Sequence, residues 1–329
     1  MKRSSPWAIF AVLIMFGMPA YAEQTAEEIL KAVIKIRSVI PREAHTASTL
    51  GTEREGNGVL IDSKGHILTT GYLIIEAETI EVFGPEGKTV NATFVGYDHS
   101  TGFGLLRANQ PLGVEPMKLG QSSKAKEGEP VLVAGYGGAE AVMGARIVSR
   151  KEFTGYWEYI LEDAIFTAPP YANFGGTALI GRDGSLLGIG SLFTQLAIPG
   201  LGSIPCNVFI PIDLLNPILD DLMTVGRPRK APRPWLGVNS EEAHGRVIIS
   251  RVTTGGPAEK AGLQRSDLIL TVNGKAVNGI ADFYRKVWAL GNAGVDVPLS
   301  ILQGIRLRDL TVRSADRYQF LMLKPKKRI

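Results

Sequence analysis

The chain has 329 residues, 45% hydrophobic and 21% charged, which excludes a disordered polymer and gives length enough for two or three domains, each with its own core. Its formal charge of +4 falls to +2 without Lys2 and Arg3, too little to point to a nucleic-acid partner. The 38 glycines imply many tight turns and a β-rich chain.

Lys2 and Arg3 are followed by an apolar run at residues 7–16 and by Ala20-Tyr21-Ala22, which has small residues at both key positions of a cleavage site. This reads as a secretory signal peptide over residues 1–22, cut before Glu23. The run is too short to span a bilayer comfortably, and no later stretch is long and apolar enough to do so. Ala26, Ile29, Leu30 and Val33 then recur at helical spacing, so residues 23–35 are expected as an amphipathic helix leading into a strand.

Short strands follow at 58–62, 66–70, 79–83, 89–97, 103–108, 130–135, 145–148 and 184–189. This spacing belongs to sandwiches or barrels. A helix at 212–223 closes the region. Residues 227–234, Arg-Pro-Arg-Lys-Ala-Pro-Arg-Pro, form a semi-rigid extended linker, because three prolines and four basic residues cannot pack a core. The expected division is 1–22 signal peptide, 23–226 first domain, 227–234 linker and 235–329 a small binding module.

Cys206 is the only cysteine and closes no intrachain disulfide; its apolar setting suits a buried spectator. His45, His66, His99 and His244 are scattered without metal-ligand spacing, so no metal is expected. No glycine-rich loop opens a helix in a βαβ context, so no cofactor is expected either. Lys324, Lys326, Lys327 and Arg328 read as a solvated terminus.

Three segments together resemble the HtrA/Deg family of trypsin-like serine proteases, and the resemblance runs from Ala26 to the end. Gly65-His66-Ile67-Leu68-Thr69-Thr70-Gly71-Tyr72 fills the frame in which the family carries its catalytic histidine, and Tyr72 stands at that position. Gly96-Tyr97-Asp98-His99-Ser100-Thr101-Gly102 fills the aspartate frame, with Gly102 in the aspartate's place. Ala172-Asn173-Phe174-Gly175-Gly176 fills the family's Gly-Asn-Ser-Gly-Gly, with Phe174 in place of the nucleophile. The family's mechanism needs a hydroxyl, an imidazole to take its proton and a carboxylate to orient that imidazole. Phenylalanine, tyrosine and glycine supply none of these roles near neutral pH. Thr177 and Ser185 are hydroxyls near the old site with no evident base. The ring of Phe174 either plugs the vacated pocket or simply packs where activity no longer constrains it.

After the linker, Trp235-Leu236-Gly237-Val238 resembles the carboxylate-binding loop of a PDZ domain, whose backbone N–H groups hold a peptide's terminal carboxylate. Gly255-Gly256-Pro257-Ala258-Glu259-Lys260-Ala261-Gly262-Leu263 is similar to the family's short helix. Residues 266–274 match the strand and Asn-Gly turn that follow. A helix over 280–290 would line the groove, with Phe283 and Lys286 as groove candidates by helix position.

The fold implied is mainly β: a trypsin-like double β-barrel followed by a PDZ domain of α+β type. The function implied is that of a periplasmic pseudoprotease acting as chaperone, adaptor or decoy. It would bind unfolded or C-terminal polypeptide segments through Trp235, Leu236, Gly237, Val238, Phe283 and Lys286. The alternatives are a serine endopeptidase in protein quality control, and a non-catalytic subunit in a homotrimer or in a mixed trimer with catalytic relatives. No nucleic acid is expected, nor any stable membrane span once the signal is cut.

Overall fold

In a computed structural model, residues 25–198, 200 and 202–323 are described. The proposed signal peptide and the basic tail lie outside them. Helix α1 (Ala26–Lys31) is only six residues long and is fixed by a reciprocal cap. Thr25 Oγ1 accepts from the Glu28 N–H, and the Glu28 carboxylate accepts from the Thr25 N–H at 2.8 Å. The expected long helix stops early because strand β1 (Val33–Val39) begins at once, with Ile34, Ile36 and Ser38 fully buried in alternation.

After the short helix α2 (Ala47–Leu50) come β2 (Glu53–Leu60), β3 (His66–Thr70), β4 (Thr79–Phe83), β5 (Thr89–Tyr97) and β6 (Phe103–Ala108). With β1 they close an antiparallel barrel in the order β1-β2-β3-β6-β5-β4. A second barrel comprises β7 (Pro130–Ala134), β8 (Val142–Gly155), β9 (Tyr159–Ala168), β10 (Ala178–Ile180), β11 (Leu186–Ile198) and β12 (Gly202–Pro211), in the order β10-β11-β12-β9-β8-β7. Closure leaves neither set an open edge. One apolar cluster runs through both barrels, from Ile34 and Phe103 to Phe166 and Ile210. The helix expected at 212–223 is a 3₁₀ turn at Ile212–Leu214 and then α3 (Leu219–Val225), with Pro217 between them.

The third unit is a sheet of β13 (Val238–Ala243), β14 (Arg246–Val252), β15 (Leu268–Val272), β17 (Asp296–Gln303) and β18 (Arg306–Arg313), with β16 (Lys275–Ala276) beside β15. Helices α4 (Pro257–Lys260) and α5 (Ile280–Trp288) cover it. Pro257 opens α4, and Asn273 and Gly274 both take positive φ in the β15–β16 turn, as an Asn-Gly hairpin requires.

The linker carries no helix or strand but is not a free spacer. Arg227 pairs with Asp316 at 2.8 Å, the Pro232 carbonyl accepts from the Ala293 N–H, and the Arg233 guanidinium lies over the Trp288 ring at 4.3 Å. Beyond β18 the chain crosses back to the barrels as a strap containing α6 (Arg317–Phe320). Tyr318 Oη donates to Asp98 at 3.1 Å and accepts from the His99 N–H at 2.9 Å, the Met322 N–H donates to Glu76, and Leu321 is buried with Ile75 and Tyr97.

Candidate functional site

Tyr72, Gly102 and Phe174 come together. The 3₁₀ turn Gly71–Leu73 after β3 presents Tyr72, the β5–β6 turn presents Gly102, and the loop before β10 presents Phe174. All three line one cavity of ≈ 380 Å³. The Gly71 N–H donates to the Gly102 carbonyl at 2.8 Å, tying two of these segments together. Asn57 holds the third, its Nδ2 donating to the carbonyls of Asn173 and Gly175 at 3.0 Å each. Gly176 allows that approach: at φ +74° its backbone lies so close that a Cβ would sit 1.7 Å from the Asn57 carbonyl oxygen.

Tyr72 Oη donates to the Ser191 carbonyl at 3.2 Å, and burial pushes its hydroxyl up to about 12, so it is a neutral phenol and not a base. Phe174 is half-buried on the cavity wall and does not fill the space. Gly102 has φ +87°, and a Cβ there would meet Tyr159 Oη at 3.2 Å.

His99 lines the same cavity, but burial and the charges of Arg317 and Arg233 depress its pKa well below the usual histidine range. Its Nδ1 faces Tyr97 Oη at 3.2 Å. Asp98 is occupied within its own turn by the N–H groups of Ser100 and Thr101. His66 is paired with Asp62 at 2.6 Å in the β2–β3 hairpin, Thr177 Oγ1 donates to the Phe174 carbonyl, and Ser185 Oγ donates to Asp183. Among the described residues no Ser, Thr or Cys side chain is hydrogen-bonded to a histidine ring, and no group of His, Cys, Asp and Glu is arranged to hold a metal ion. Cys206 is buried, which pushes its thiol up to about 11.

The loop after the linker does hold a carboxylate. The N–H groups of Leu236, Gly237 and Val238 donate to the Glu158 carboxylate at 2.9, 2.7 and 3.0 Å. Glu158 belongs to the β8–β9 hairpin of the second barrel, is 3% exposed and has φ +57°. Burial raises its carboxyl above the ordinary range, against the lowering effect of the three N–H bonds and the Arg317 charge. Trp235, expected to join in, contributes no N–H: its own donates to the Ala315 carbonyl, and its ring packs on Phe320. Phe283 lies in the module's core with Tyr284 and Val287, and Lys286 is paired with Asp282 one turn away.

Glu158 and the strap residues Arg317, Phe320 and Leu321 escaped the sequence reading. The one available signal was Tyr156-Trp157-Glu158-Tyr159, three aromatics crowded at a hairpin tip, more than a solvent-facing turn needs.

Fold and site together define a trypsin-like peptidase domain joined to a PDZ domain. The family model of a trypsin-like peptidase domain matches residues 56–189, and that of a PDZ domain matches residues 234–313. The protein has homologues among the DegP and HtrA proteases. It is 30% identical over 275 residues to a probable periplasmic serine endoprotease, DegP-like, of Pseudomonas putida, covering 78% of this chain and 55% of that one. It is 26% identical over 267 residues to the periplasmic pH-dependent serine endoprotease DegQ of Escherichia coli, covering 75% and 56%. The chain thus spans about half the length of the curated relatives it matches. The fold is shared with the serine endoprotease from Yersinia pestis, at a TM-score of 0.51 and 22% identity over 89% of this chain and 98% of that one. It is shared equally with the HtrA-type protease AlgW solved with a decapeptide, at 0.51 and 22% over 88% and 98%. Among the described residues no helix is long and apolar enough to cross a membrane.

Proposed function

We propose that this protein is a non-catalytic, polypeptide-binding relative of the DegP-type proteases, exported to the periplasm by the leader at residues 1–22. The observation that carries the reading is the composition of the cavity where the catalytic groups would meet. It presents the phenol of Tyr72, the bare backbone of Gly102 and the ring of Phe174. A serine protease needs a nucleophile, a base and an orienting carboxylate at these places. What remains is an aromatic-lined cleft and a PDZ-type module, which suit holding extended chain without cutting it. The chain would act as chaperone, adaptor or decoy.

That the relatives are described as serine endoproteases favours a second reading, a serine endopeptidase with a rebuilt site. Incubating the purified protein for a day with an unfolded, labelled polypeptide separates the two. The binding reading expects the polypeptide to be retained intact. Products that vanish when one serine or threonine is replaced would overturn it.

A further inference from the structure

We propose that Glu158 is an internal ligand of the PDZ-type carboxylate loop, and that the β8–β9 hairpin keeps the groove shut by standing in for the end of a peptide. The ligand that would exchange with it rests on the peptide-binding reading above.

The mimicry extends beyond one carboxylate. A chain end bound to such a module places its terminal carboxylate on the loop's N–H groups and adds its backbone to the neighbouring edge strand. Here the Glu158 carboxylate takes the three loop N–H groups, and the Tyr156 carbonyl, two residues earlier, accepts from the Ser240 N–H of edge strand β13 at 2.8 Å. An apolar side chain accompanies them: Ile160 is 6% exposed and belongs to the same buried cluster as Leu236, Val238 and Phe283. Carboxylate, strand carbonyl and aliphatic side chain are the three elements a peptide terminus would bring. All three come from the second barrel.

The hairpin is held in place by more than these contacts. Glu152 on β8 is paired with Arg285 on α5, and Arg317 of the strap donates to the Trp157 carbonyl at 3.4 Å. Tyr156 and Trp157 also wall the cavity that holds Tyr72 and Phe174, together with Trp235, Asn239 and Arg251 of the PDZ-type module. Withdrawing the hairpin from the loop would therefore open that cavity on one side. The ligand that competes is a chain with a free terminal carboxylate and an aliphatic last residue. Its apparent affinity is reduced by the fraction of molecules whose groove is shut.

The test uses the mature protein and two variants, Glu158→Ala and Glu158→Gln, the second keeping the side chain's shape if the first folds poorly. A fluorescein-labelled decapeptide ending in isoleucine is titrated by anisotropy, beside the same peptide with its C-terminus amidated. Amide hydrogen exchange of residues 236–238 is followed without peptide. The expectation is at least about tenfold tighter binding of the free-acid peptide by the variants than by the parent, no such gain for the amide, and faster exchange at 236–238 in both variants. Equal peptide affinity and unchanged exchange would overturn the proposal. Faster exchange in the variants with no peptide bound by any form would uphold Glu158 as the occupant and sink the peptide-binding reading instead.

Discussion

Glu76 shows how a single residue can fix the ground beneath a site. It sits at φ +61°, is 5% exposed, and its carboxylate accepts from the N–H groups of His45, Thr46 and Met322 and from Thr46 Oγ1. Arg54, equally buried, donates to the Tyr72 and Ile75 carbonyls and to Thr46 Oγ1, so the two charges brace the turn that carries Tyr72. Burial raises the Glu76 carboxyl, and the bonds from Thr46, Met322 and His45 outweigh it, leaving it below its ordinary range. A depressed carboxyl stabilises the fold fully above the unfolded value of about 4.3, and that contribution is lost as pH falls through the lowered folded value. Thermal melts from pH 7 to pH 3 should show this loss, and Glu76→Ala should remove it. The substitution should also cost about 1–3 kcal/mol in urea unfolding at pH 7, because the donors of His45, Thr46 and Met322 lose their acceptor. Gly102 gives a residue-scale prediction of the opposite kind. At φ +87° any side chain there is strained, by about 1–2 kcal/mol. Installing Asp at 102, His at 72 and Ser at 174 together should therefore destabilise the chain by at least that amount in urea. It should also fail to cleave an unfolded polypeptide, since a Cβ at 102 meets Tyr159 and Ile210 first and not the side chain at 72 that an orienting aspartate must hold.

At the scale of elements, what could be read from the sequence depended on how local the signal was. Strands β4, β5 and β6 lie where alternation and glycine turns put them, because each is short and paired with a sequence neighbour, with a single register slip between Phe94 and Gly96. The long pair β8 and β9 was mostly missed. Their ladder slips register between Ile147 and Ser149 and between Lys151 and Phe153, which breaks the period-two pattern on which a strand assignment rests. β12 was hidden by Pro205, tolerated near its start where it faces Gln195. That Tyr72, Gly102 and Phe174 would meet was legible because flanking glycines and threonines frame them. Glu158 was not, because its partner lies nearly eighty positions away and a carboxylate at a hairpin tip looks like a solvated one. The hairpin's own order is also testable. The Trp157 ring stacks on Tyr159 at 5.3 Å and contacts Tyr156 edge-on at 4.8 Å. Such pairs are worth about 0.5–1.5 kcal/mol beyond burial. Trp157→Ala should therefore loosen the tip and speed amide exchange at 236–238 as the Glu158 variants do, while leaving the loop's carboxylate partner intact.

At the scale of the whole molecule, the barrels and the PDZ-type module meet at the hairpin tip, the pinned linker and the strap, and Arg251 of β14 also donates to Ser48 Oγ in α2 at 3.1 Å. The strap crosses back over the cleft, where Arg317, Phe320 and Leu321 line the same cavity as Tyr72 and Phe174. Its contacts with the barrels are of the kind found inside a domain. Leu321 is 6% exposed, and burying such a side chain contributes about 1.5–3 kcal/mol. The two hydrogen bonds of Tyr318 Oη with Asp98 and His99, and the Met322 N–H bond to Glu76, contribute about 0.5–3 kcal/mol each. Removing residues 317–329 leaves Asp316 in place to hold Arg227, so the module keeps its linker contact while the barrels lose their cover. The intact protein should then melt in a single calorimetric transition, because modules sharing buried contacts unfold together. The truncated protein should show two transitions, the barrels melting first, and Tyr72 and Phe174 should become more accessible to proteases and apolar dyes. A single transition at an unchanged temperature would mean that the contacts outside the strap couple the two units, and that the strap covers the cleft without holding it closed.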